Sequence, residues 1–394
     1  MISIALRVAE LLAFVLAVYF ALAATRHAVF SLIAFVSRRP RESAPEPRTR
    51  FTVLIPAHNE EAGVGRTIES ARELNYPSNL FEIVVLADNC DDQTADVARR
   101  AGVNVVERQD PRKRGKGYAL DWFISGRAWG GDDALVCLDA DSVVDAGYLR
   151  ALDAAIQDGA RALQGYNGAR DPGHSSLAAL STLTNTMKNA GTYAGRARLG
   201  LPAPLMNGWC LTGSVLREFG WMSFSVAEDF EQTLRLAVLG IFPRFIDVVA
   251  VRSEKASSFA KAAGQRKRWS GGQAQVAKTL GRYARRKAIR ERSWPLWELT
   301  MDIVLPGYAI NSAALVALSL GAWYFALPWV WLASFVGLLM LAAATLVGVA
   351  KTRPRSAVIR GLALAPVFVI WKLWLATSAR VRPPKTWHRA DRDD

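Results

Sequence analysis

Between Asp302 and Lys351 the chain carries no charged residue for 48 positions. A helix needs about 20 apolar residues to cross a bilayer, so this run has the length for two crossings. Leu327-Pro328-Trp329 falls near its middle, and Trp323, Tyr324, Trp329 and Trp331 cluster there. That pattern predicts a turn at a membrane surface with an aromatic belt. A buried helical hairpin of a large soluble protein is the competing reading, but the run is longer than soluble cores use. The rest of the chain is different in kind. It holds 49 Lys and Arg against 35 Asp and Glu, a formal charge of 49 − 35 = +14, in a chain that is 51% hydrophobic. A charged soluble domain joined to charge-free membrane segments accommodates both facts. Disorder is excluded by the abundance of aromatic and branched apolar residues. Three scattered cysteines (Cys90, Cys137, Cys210) form no disulfide framework, and with four histidines they offer no zinc-ligand spacing.

A second apolar run spans Leu11 to Thr25 and continues past Arg26-His27 to Val36. Ala21-Leu22-Ala23 resembles a signal-peptidase site. However, a positive leader is nearly absent, and Arg38, Arg39 and Arg41 follow the run. The expectation is an uncleaved span with the chain after residue 37 in the cytoplasm. A fourth run, Ser356 to Ser378, has only 11 uncharged residues between Arg360 and Lys372, and Pro366 interrupts them. It suits a re-entrant or interfacial helix. With Arg380, Arg382 and Lys385 on the cytoplasmic side, three crossings and one surface segment are expected.

Residues 50–258 alternate strand-like and helix-like patterns. Strands are expected at Phe51–Ile55, Glu82–Leu86, Val103–Glu107 and Ala134–Leu138, with helices following to Leu74 and from about Asp92. The fourth strand lacks alternation and reads as buried on both faces. Strands alternating with helices predict an α/β fold with a doubly wound, mostly parallel sheet, whose ligands bind at the carboxyl ends of the strands. Pro56-Ala57-His58-Asn59-Glu60-Glu61 follows strand one, Asp88-Asn89-Cys90-Asp91-Asp92 strand two, and Asp139-Ala140-Asp141-Ser142 strand four. Asp91 or Asp92 suits an N-cap of the next helix. Capping does not account for carboxylates after three strands, so the rim reads as functional. The spacing of Asp139 and Asp141 suits Mg²⁺ or Mn²⁺, which keeps waters and bridges to substrate phosphates. No glycine-rich phosphate cradle follows strand one, which leaves cations such as Lys116, at an expected helix start, to meet phosphate; an ordinary solvated lysine is the alternative.

Ala227-Glu228-Asp229-Phe230-Glu231 opens an expected helix that Gly240 closes. First-turn acids complement a helix dipole, and a carboxylate there also suits a general base. Farther on lies Gln265-Arg266-Lys267-Arg268-Trp269, inside a stretch from Lys261 to Trp294 with 11 Lys/Arg and one Glu. Arg282 to Arg292 reads as a basic amphipathic helix on anionic lipid, and a nucleic-acid partner is not expected so close to the membrane.

These motifs, taken in order, resemble the membrane-embedded family 2 glycosyltransferases, the group of cellulose, hyaluronan and chitin-oligosaccharide synthases. The match runs over roughly residues 50 to 275: Asp88 after strand two, Asp139-Ala-Asp141, Glu228-Asp229, and Gln265-x-x-Arg268-Trp269. Ala227 stands where cellulose synthases carry Thr. The resemblance implies a GT-A-type sheet with flanking transmembrane helices and an inverting transfer of a hexose from a nucleotide donor. On it, Asp229 is the general base, with Glu228 beside it. Pro56, His58, Glu60, Asp88, Lys116, Asp139, Gln265 and Arg268 contact the donor. Asp141 and Asp139 bind Mg²⁺ or Mn²⁺, and Trp269 and Trp209 face the acceptor. UDP-glucose or UDP-N-acetylglucosamine is the donor by analogy.

The expected organisation is an N-terminal transmembrane helix (1–37), a cytoplasmic transferase domain (50–258), basic interfacial helices (259–300), transmembrane or re-entrant helices (301–379) and a basic tail (380–394). An integral protein of the inner or plasma membrane follows, with a nucleotide sugar, membrane lipid and a polysaccharide or lipid acceptor as partners. A polysaccharide product leads; one sugar added to a lipid is the alternative. A nucleotidyltransferase also uses acidic rims but needs neither Gln-x-x-Arg-Trp nor spans. A non-catalytic membrane scaffold requires none of the rim carboxylates.

Overall fold

A computed structural model describes residues 2–37, 45–256 and 258–381. The basic cluster Arg38, Arg39, Arg41 and the tail residues Arg382 and Lys385 lie outside them. The chain opens with α1 (Ile2–Val36), followed by β1 (Arg50–Ala57), α2 (Val64–Arg72), β2 (Phe81–Asp88), α3 (Thr94–Arg100), β3 (Asn104–Arg108), α4 (Lys116–Ser125) and β4 (Asp133–Cys137). Next come β5 (Ser142–Val144), α5 (Tyr148–Gln157), β6 (Ala162–Ala169), α6 (Ser176–Thr186), a π-helical turn Met187–Tyr193, α7 (Ala194–Arg198), β7 (Trp209–Thr212), α8 (Gly213–Phe219), α9 (Glu228–Val238) and β8 (Arg244–Ser253). The C-terminal part holds α10 (Phe259–Val276), α11 (Arg282–Arg290), α12 (Trp294–Val304), α13 (Tyr308–Tyr324), α14 (Pro328–Lys351), α15 (Arg355–Leu362) and α16 (Ala365–Val381).

The strands form one sheet in the order β3-β2-β1-β4-β7-β6-β8-β5. β3-β2-β1-β4 are parallel, as the sequence pattern requires, and so are β6 and β8. β7 runs antiparallel to β4 and β6, and β5 antiparallel to β8, so the sheet is mixed beyond β4. The alternation of strand side chains divides the core in two. Val53, Ile55, Val85 and Val136 pack under α2 and α5, whereas Leu54, Leu86, Leu135 and Cys137 pack under α4 and α8. β4 is buried on both faces, as its unbroken apolar run demands.

Two helices, Ile4–Val36 and Pro328–Lys351, are long and apolar enough to cross a membrane. α1 is continuous through Ala21–Ala24, which packs into the helical bundle beside Leu315 and Leu341, so these alanines serve a helix interface. The expected turn exists: α13 ends at Tyr324, Ala326 takes φ +52°, and Pro328 opens α14. The count of three full crossings is modified. The 17-residue α13 reaches spanning length only together with α12, across a 65° bend, and α15 with α16 across a 73° bend. The second break falls at Ala363-Leu364, just before Pro366, whose ring cannot continue a preceding helix.

Arg26-His27, the polar interruption of the first apolar run, joins the bundle to the sheet domain. Arg26 pairs with Glu298 and with Asp302 (2.9 Å) on α12, and Arg196 on α7 also reaches Asp302 (2.7 Å). His27 meets Thr192 (3.1 Å) and stacks on Tyr308 (4.3 Å between centroids). Close approach of α7 to α1 requires Gly195, where a Cβ would lie 2.0 Å from the Phe30 carbonyl oxygen. Removing one side of a buried ion pair leaves the other charge uncompensated. Asp302→Asn, which leaves Arg26 and Arg196 to share the single carboxylate of Glu298, is therefore expected to destabilise the protein by up to about 3–5 kcal/mol, read as a lowered unfolding midpoint in detergent.

Candidate active site

Because β2, β1 and β4 are parallel neighbours, their carboxyl ends share one edge. There the loops carrying His58 and Glu60, Asp88, and Asp139 and Asp141 come together. Asn59 and Asn89, the turn residues after β1 and β2, take φ +56° and +51°. Asparagine tolerates that left-handed region better than most side chains, which lets both strands turn sharply at the rim. The two loops brace each other. Glu60 N–H donates to Thr94 Oγ1 (2.7 Å), Glu61 N–H to Asp92 Oδ2 (3.1 Å), and Gln93 N–H to Glu61 Oε2 (2.9 Å). Asp92 also accepts from Thr94 N–H (2.9 Å), but the N-cap of α3 is Gln93, so neither Asp91 nor Asp92 takes the expected cap position.

Asp88 is buried and held by Arg108 at the end of β3, with Asn89 Nδ2 donating to it at 3.0 Å and His58 Nδ1 against its carbonyl at 2.8 Å. Arg108 was not singled out from sequence. The signal was its place at the end of the strand beside β2, two residues before Asp110, with which it also pairs. A pocket of about 690 Å³ opens here, lined by Arg108, Lys113, Tyr118 and Trp122 among others.

The Asp139–Ser142 loop is fixed from both sides. Asp139 N–H donates to Asn207 Oδ1 (2.9 Å), and Asn207 Nδ2 donates to Ser142 Oγ (2.7 Å). Thr67 Oγ1 donates to the Ala140 carbonyl (2.8 Å) and accepts from Ser142 N–H (3.0 Å). Thr67, inside an ordinary amphipathic helix pattern, carried no sequence signal for this role.

At the centre stands Lys116. Its Nζ lies 3.0 Å from Asp139, 3.3 Å from Glu228 and 3.4 Å from Asp229. It is therefore the shared counter-ion of carboxylates from the β4 exit and the first turn of α9, and not a solvated surface lysine. Burial disfavours its charge, but Asp139, Asp229 and Glu228 outweigh that and hold its pKa well above the ordinary lysine value. Burial, together with the neighbouring Asp229 charge, pushes Glu228 up to about 7 despite Lys116. Burial and Asp139 raise Asp229, against Lys116 and a hydrogen bond from Trp209.

Trp209 departs from the expected acceptor contact. It is fully buried, stacks on Trp221 (5.0 Å between centroids), and donates its indole N–H to Asp229 Oδ1 at 2.9 Å. Its ring has no exposed face, so it positions the carboxylate instead. Trp269, by contrast, is 49% exposed.

α10 packs on the start of α9 at Gly272, where a Cβ would lie 2.8 Å from Ala227 Cβ and 2.9 Å from Ala227 N. Gln265, Arg268 and Trp269 precede Gly272 by seven, four and three residues and so share its helix face. Helical periodicity thus turns the Gln-x-x-Arg-Trp motif toward Glu228-Asp229, and the Glu228 charge acts on the partly buried Arg268. Lys255, also unforeseen, lies at the end of β8 within electrostatic reach of Asp141 and Asp139; burial lowers it to about 8. Its signal was weak, a single lysine after a strand.

Among the described residues no group of three or more His, Cys, Asp or Glu side chains can hold a metal ion. Asp139 and Asp141 supply two hard carboxylates, a donor set that suits Mg²⁺ or Mn²⁺ only with water and substrate oxygens completing it.

The fold is GT-A-like. Residues 47–272 match the family described as "Glycosyltransferase like family 2", and the chain belongs to that family. It is 27% identical over 252 residues to a probable glycosyltransferase, YdaM, of Bacillus subtilis, covering 61% of this chain and 59% of that one. It is 32% identical over 141 residues to a 4,4'-diaponeurosporenoate glycosyltransferase of Staphylococcus haemolyticus, covering 35% of this chain and 34% of that one. Both alignments span less than two thirds of the relative's own length. Among solved structures, a mannosyltransferase from Pyrobaculum calidifontis, in complex with GDP-Man and Mn²⁺, is alike in fold, with a TM-score of 0.60 at 18% identity over 94% of this chain and 97% of that one.

A hydrogen bond to a charged group is worth about 1.5–3 kcal/mol. Trp209→Phe, which keeps the stacking and removes the N–H, is expected to lower kcat roughly 10- to 100-fold with donor KM unchanged, measured by nucleoside diphosphate release.

Proposed function

We propose that the protein is a membrane-bound inverting hexosyltransferase that uses a nucleoside diphosphate sugar and adds one hexose to a lipid-borne hydroxyl. The observation that carries this reading is the convergence of Asp139, Glu228 and Asp229 on Lys116 beside the motif face of α10. The acceptor oxygen attacks the anomeric carbon from the face opposite the leaving group. The new C–O bond forms as the bond to the diphosphate breaks, and the acceptor proton passes to Asp229. Single displacement with one base inverts the anomeric centre. Trp209 and Lys116 hold the Asp229 carboxylate in place beforehand. As the diphosphate leaves it gains charge, which Lys116 and Arg268 are placed to meet. Asp139 and Asp141 would hold Mg²⁺ or Mn²⁺, which supplies further charge neutralisation on the diphosphate. Asp88, with the His58–Glu60 loop, bounds the nucleoside side, and exposed Trp269 offers an aromatic face to a pyranose.

Membrane attachment is supported by the exposed apolar side chains of α1, including Ile4, Leu11, Leu12 and Val15. Basic residues after α1 favour a cytoplasmic catalytic face. A lipid acceptor is favoured over a polysaccharide threaded through the bundle by the bundle interior. Ala17, Ala322 and Val330 fill one level, and Ala24, Leu315 and Leu341 the next, with Asn311 and Ser334 as fully buried polar side chains among them. A polymer path needs polar and aromatic lining.

Asp229→Asn is expected to reduce transfer by about 10³-fold or more while donor binding persists, the general-base contribution being on the order of 10²–10⁴. Lost donor binding at an unchanged unfolding midpoint contradicts the assigned role. Chelation is expected to abolish turnover, with Mg²⁺ or Mn²⁺ restoring it; undiminished turnover in chelator rejects the metal. Both are read with purified protein and a panel of UDP- and GDP-hexoses, following nucleoside diphosphate release and product mass.

A further inference from the structure

Two side chains that hold the site in shape stand two positions apart on one segment. Asn207 Oδ1 accepts from the Asp139 N–H (2.9 Å), and Trp209 donates its indole N–H to Asp229 Oδ1 (2.9 Å). From Asn207 the contacts continue to the second aspartate of the loop. Asn207 Nδ2 donates to Ser142 Oγ at 2.7 Å, and that hydroxyl donates to Asp141 Oδ1 across a long 3.5 Å. The directions are fixed by chemistry. A backbone N–H can only donate, so the amide oxygen faces Asp139 and the amide nitrogen faces Ser142. The nitrogen in turn takes a lone pair of the hydroxyl and leaves its hydrogen for Asp141. The stretch Met206–Trp209 therefore reaches both carboxylates that suit Mg²⁺ or Mn²⁺ and the carboxylate that suits a base.

The stretch is anchored to the sheet on its own account. Gln164 on β6 is fully buried; it accepts from the Met206 N–H (2.5 Å) and donates to the Asn207 carbonyl (3.0 Å). Gly208 donates its N–H to the Cys137 carbonyl on β4 (2.9 Å), and its own carbonyl accepts from the Tyr148 hydroxyl on α5. Gly208 takes φ +82°, and a Cβ there would lie 2.6 Å from Val251 Cγ2 and 2.8 Å from Tyr148 Oη, so only glycine fits. A clamp that merely closed the turn after β4 would need the Asp139 N–H alone. The second bond of Asn207, through Ser142 to Asp141, has no such use, because the turn already closes through Ser142 N–H on the Asp139 carbonyl (3.1 Å).

We infer that Asn207 is a positioning residue that orients Asp139 and Asp141 and, through its two-residue link to Trp209, keeps them in register with Asp229. The inference rests on the transferase reading and adds to it the group that ties the two halves of the site together. Hydrogen bonds behind a metal site direct its ligands, and losing one costs about 10- to 100-fold in metal affinity or activity. Trp209 acts on Asp229 alone, whereas Asn207 acts on the aspartate loop directly and on Asp229 through the backbone. Lys116 ties Asp139 to Asp229 by charge. The Asn207–Trp209 link ties them by backbone geometry, which a change of charge in the cleft leaves intact.

The test uses the full-length protein in detergent. Mn²⁺ is titrated in the presence of UDP or GDP, with the bound ion read by electron paramagnetic resonance, and kcat is measured at saturating Mn²⁺. Asn207→Ala is expected to weaken Mn²⁺ binding roughly 10-fold or more, and to leave kcat roughly 10-fold low even when Mn²⁺ saturates. Trp209→Phe should lower kcat with Mn²⁺ affinity within about twofold of the wild type, since its hydrogen bond reaches only Asp229. Unchanged Mn²⁺ affinity in Asn207→Ala overturns the inference, and so does a kcat that returns to the wild-type value at saturating Mn²⁺. Loss of nucleoside diphosphate binding in the absence of the ion shows a collapsed cleft and overturns it as well. If Asn207→Ala does not fold, the isosteric Asn207→Asp decides. Its carboxylate still accepts from the Asp139 N–H but draws the Ser142 hydroxyl away from Asp141. Weaker Mn²⁺ binding there, against the attraction of the added charge, upholds the inference, and equal or tighter binding overturns it. Sugar transfer by a wild-type protein that binds no Mn²⁺ overturns the inference and leaves the transferase reading standing. The expected Mn²⁺ pattern in a protein that transfers no sugar upholds the role of Asn207 and rejects the transferase reading.

Discussion

One ammonium group holds the candidate active site together. Asp139, Glu228 and Asp229 come from distant parts of the chain and would repel one another strongly in a half-buried cleft. Two like charges 4 Å apart cost on the order of 4 kcal/mol at an effective dielectric of 20. Lys116 stands within 3.4 Å of all three. It sits on the first turn of α4, which is clamped under the second half-core of the sheet, so its position is set by packing and not by the carboxylates themselves. On the proposed reaction, the same group meets the charge that develops on the diphosphate.

α10 is the second organising element. One face approaches the start of α9 through Gly272, carrying Arg268 and Trp269 with it. Another presents Ala262 and Arg266 to α6 and α16. A single helix therefore links the α6/α16 seam to the Glu228-Asp229 carboxylates. The Arg26–Asp302–Arg196 cluster fixes the bundle to the sheet domain independently, through α1, α7 and α12. The bundle and the sheet domain are thus joined at two separate places.

Much of the rim was legible from sequence because its signals are local. An acid directly after a buried apolar strand must lie at that strand's carboxyl end, and parallel neighbours must align those ends. Asp88, Asp139 and Asp141 follow from that alone. Lys116 was visible as a helix-start cation, but its partners were not, since Glu228 and Asp229 lie more than 100 residues away. Arg108, Thr67 and Lys255 escaped notice because each is an ordinary residue in an ordinary pattern. Trp209 was assigned to the acceptor by the resemblance to the synthases. Burial against Trp221 gave it a different task, and burial is not a property of residue type.

Periodicity and charge are written along the chain, so they determined the apolar helices, the alternating strands and helices of the parallel half-sheet, and the acidic strand exits. Pairing across long separations is not written locally. The antiparallel insertion of β7 beside β4, the sharing of Lys116 among three carboxylates, and the two-sided role of α10 were decided by the tertiary structure. Each depends on which surfaces exclude water together, and that is settled only when the whole chain has collapsed around its two half-cores.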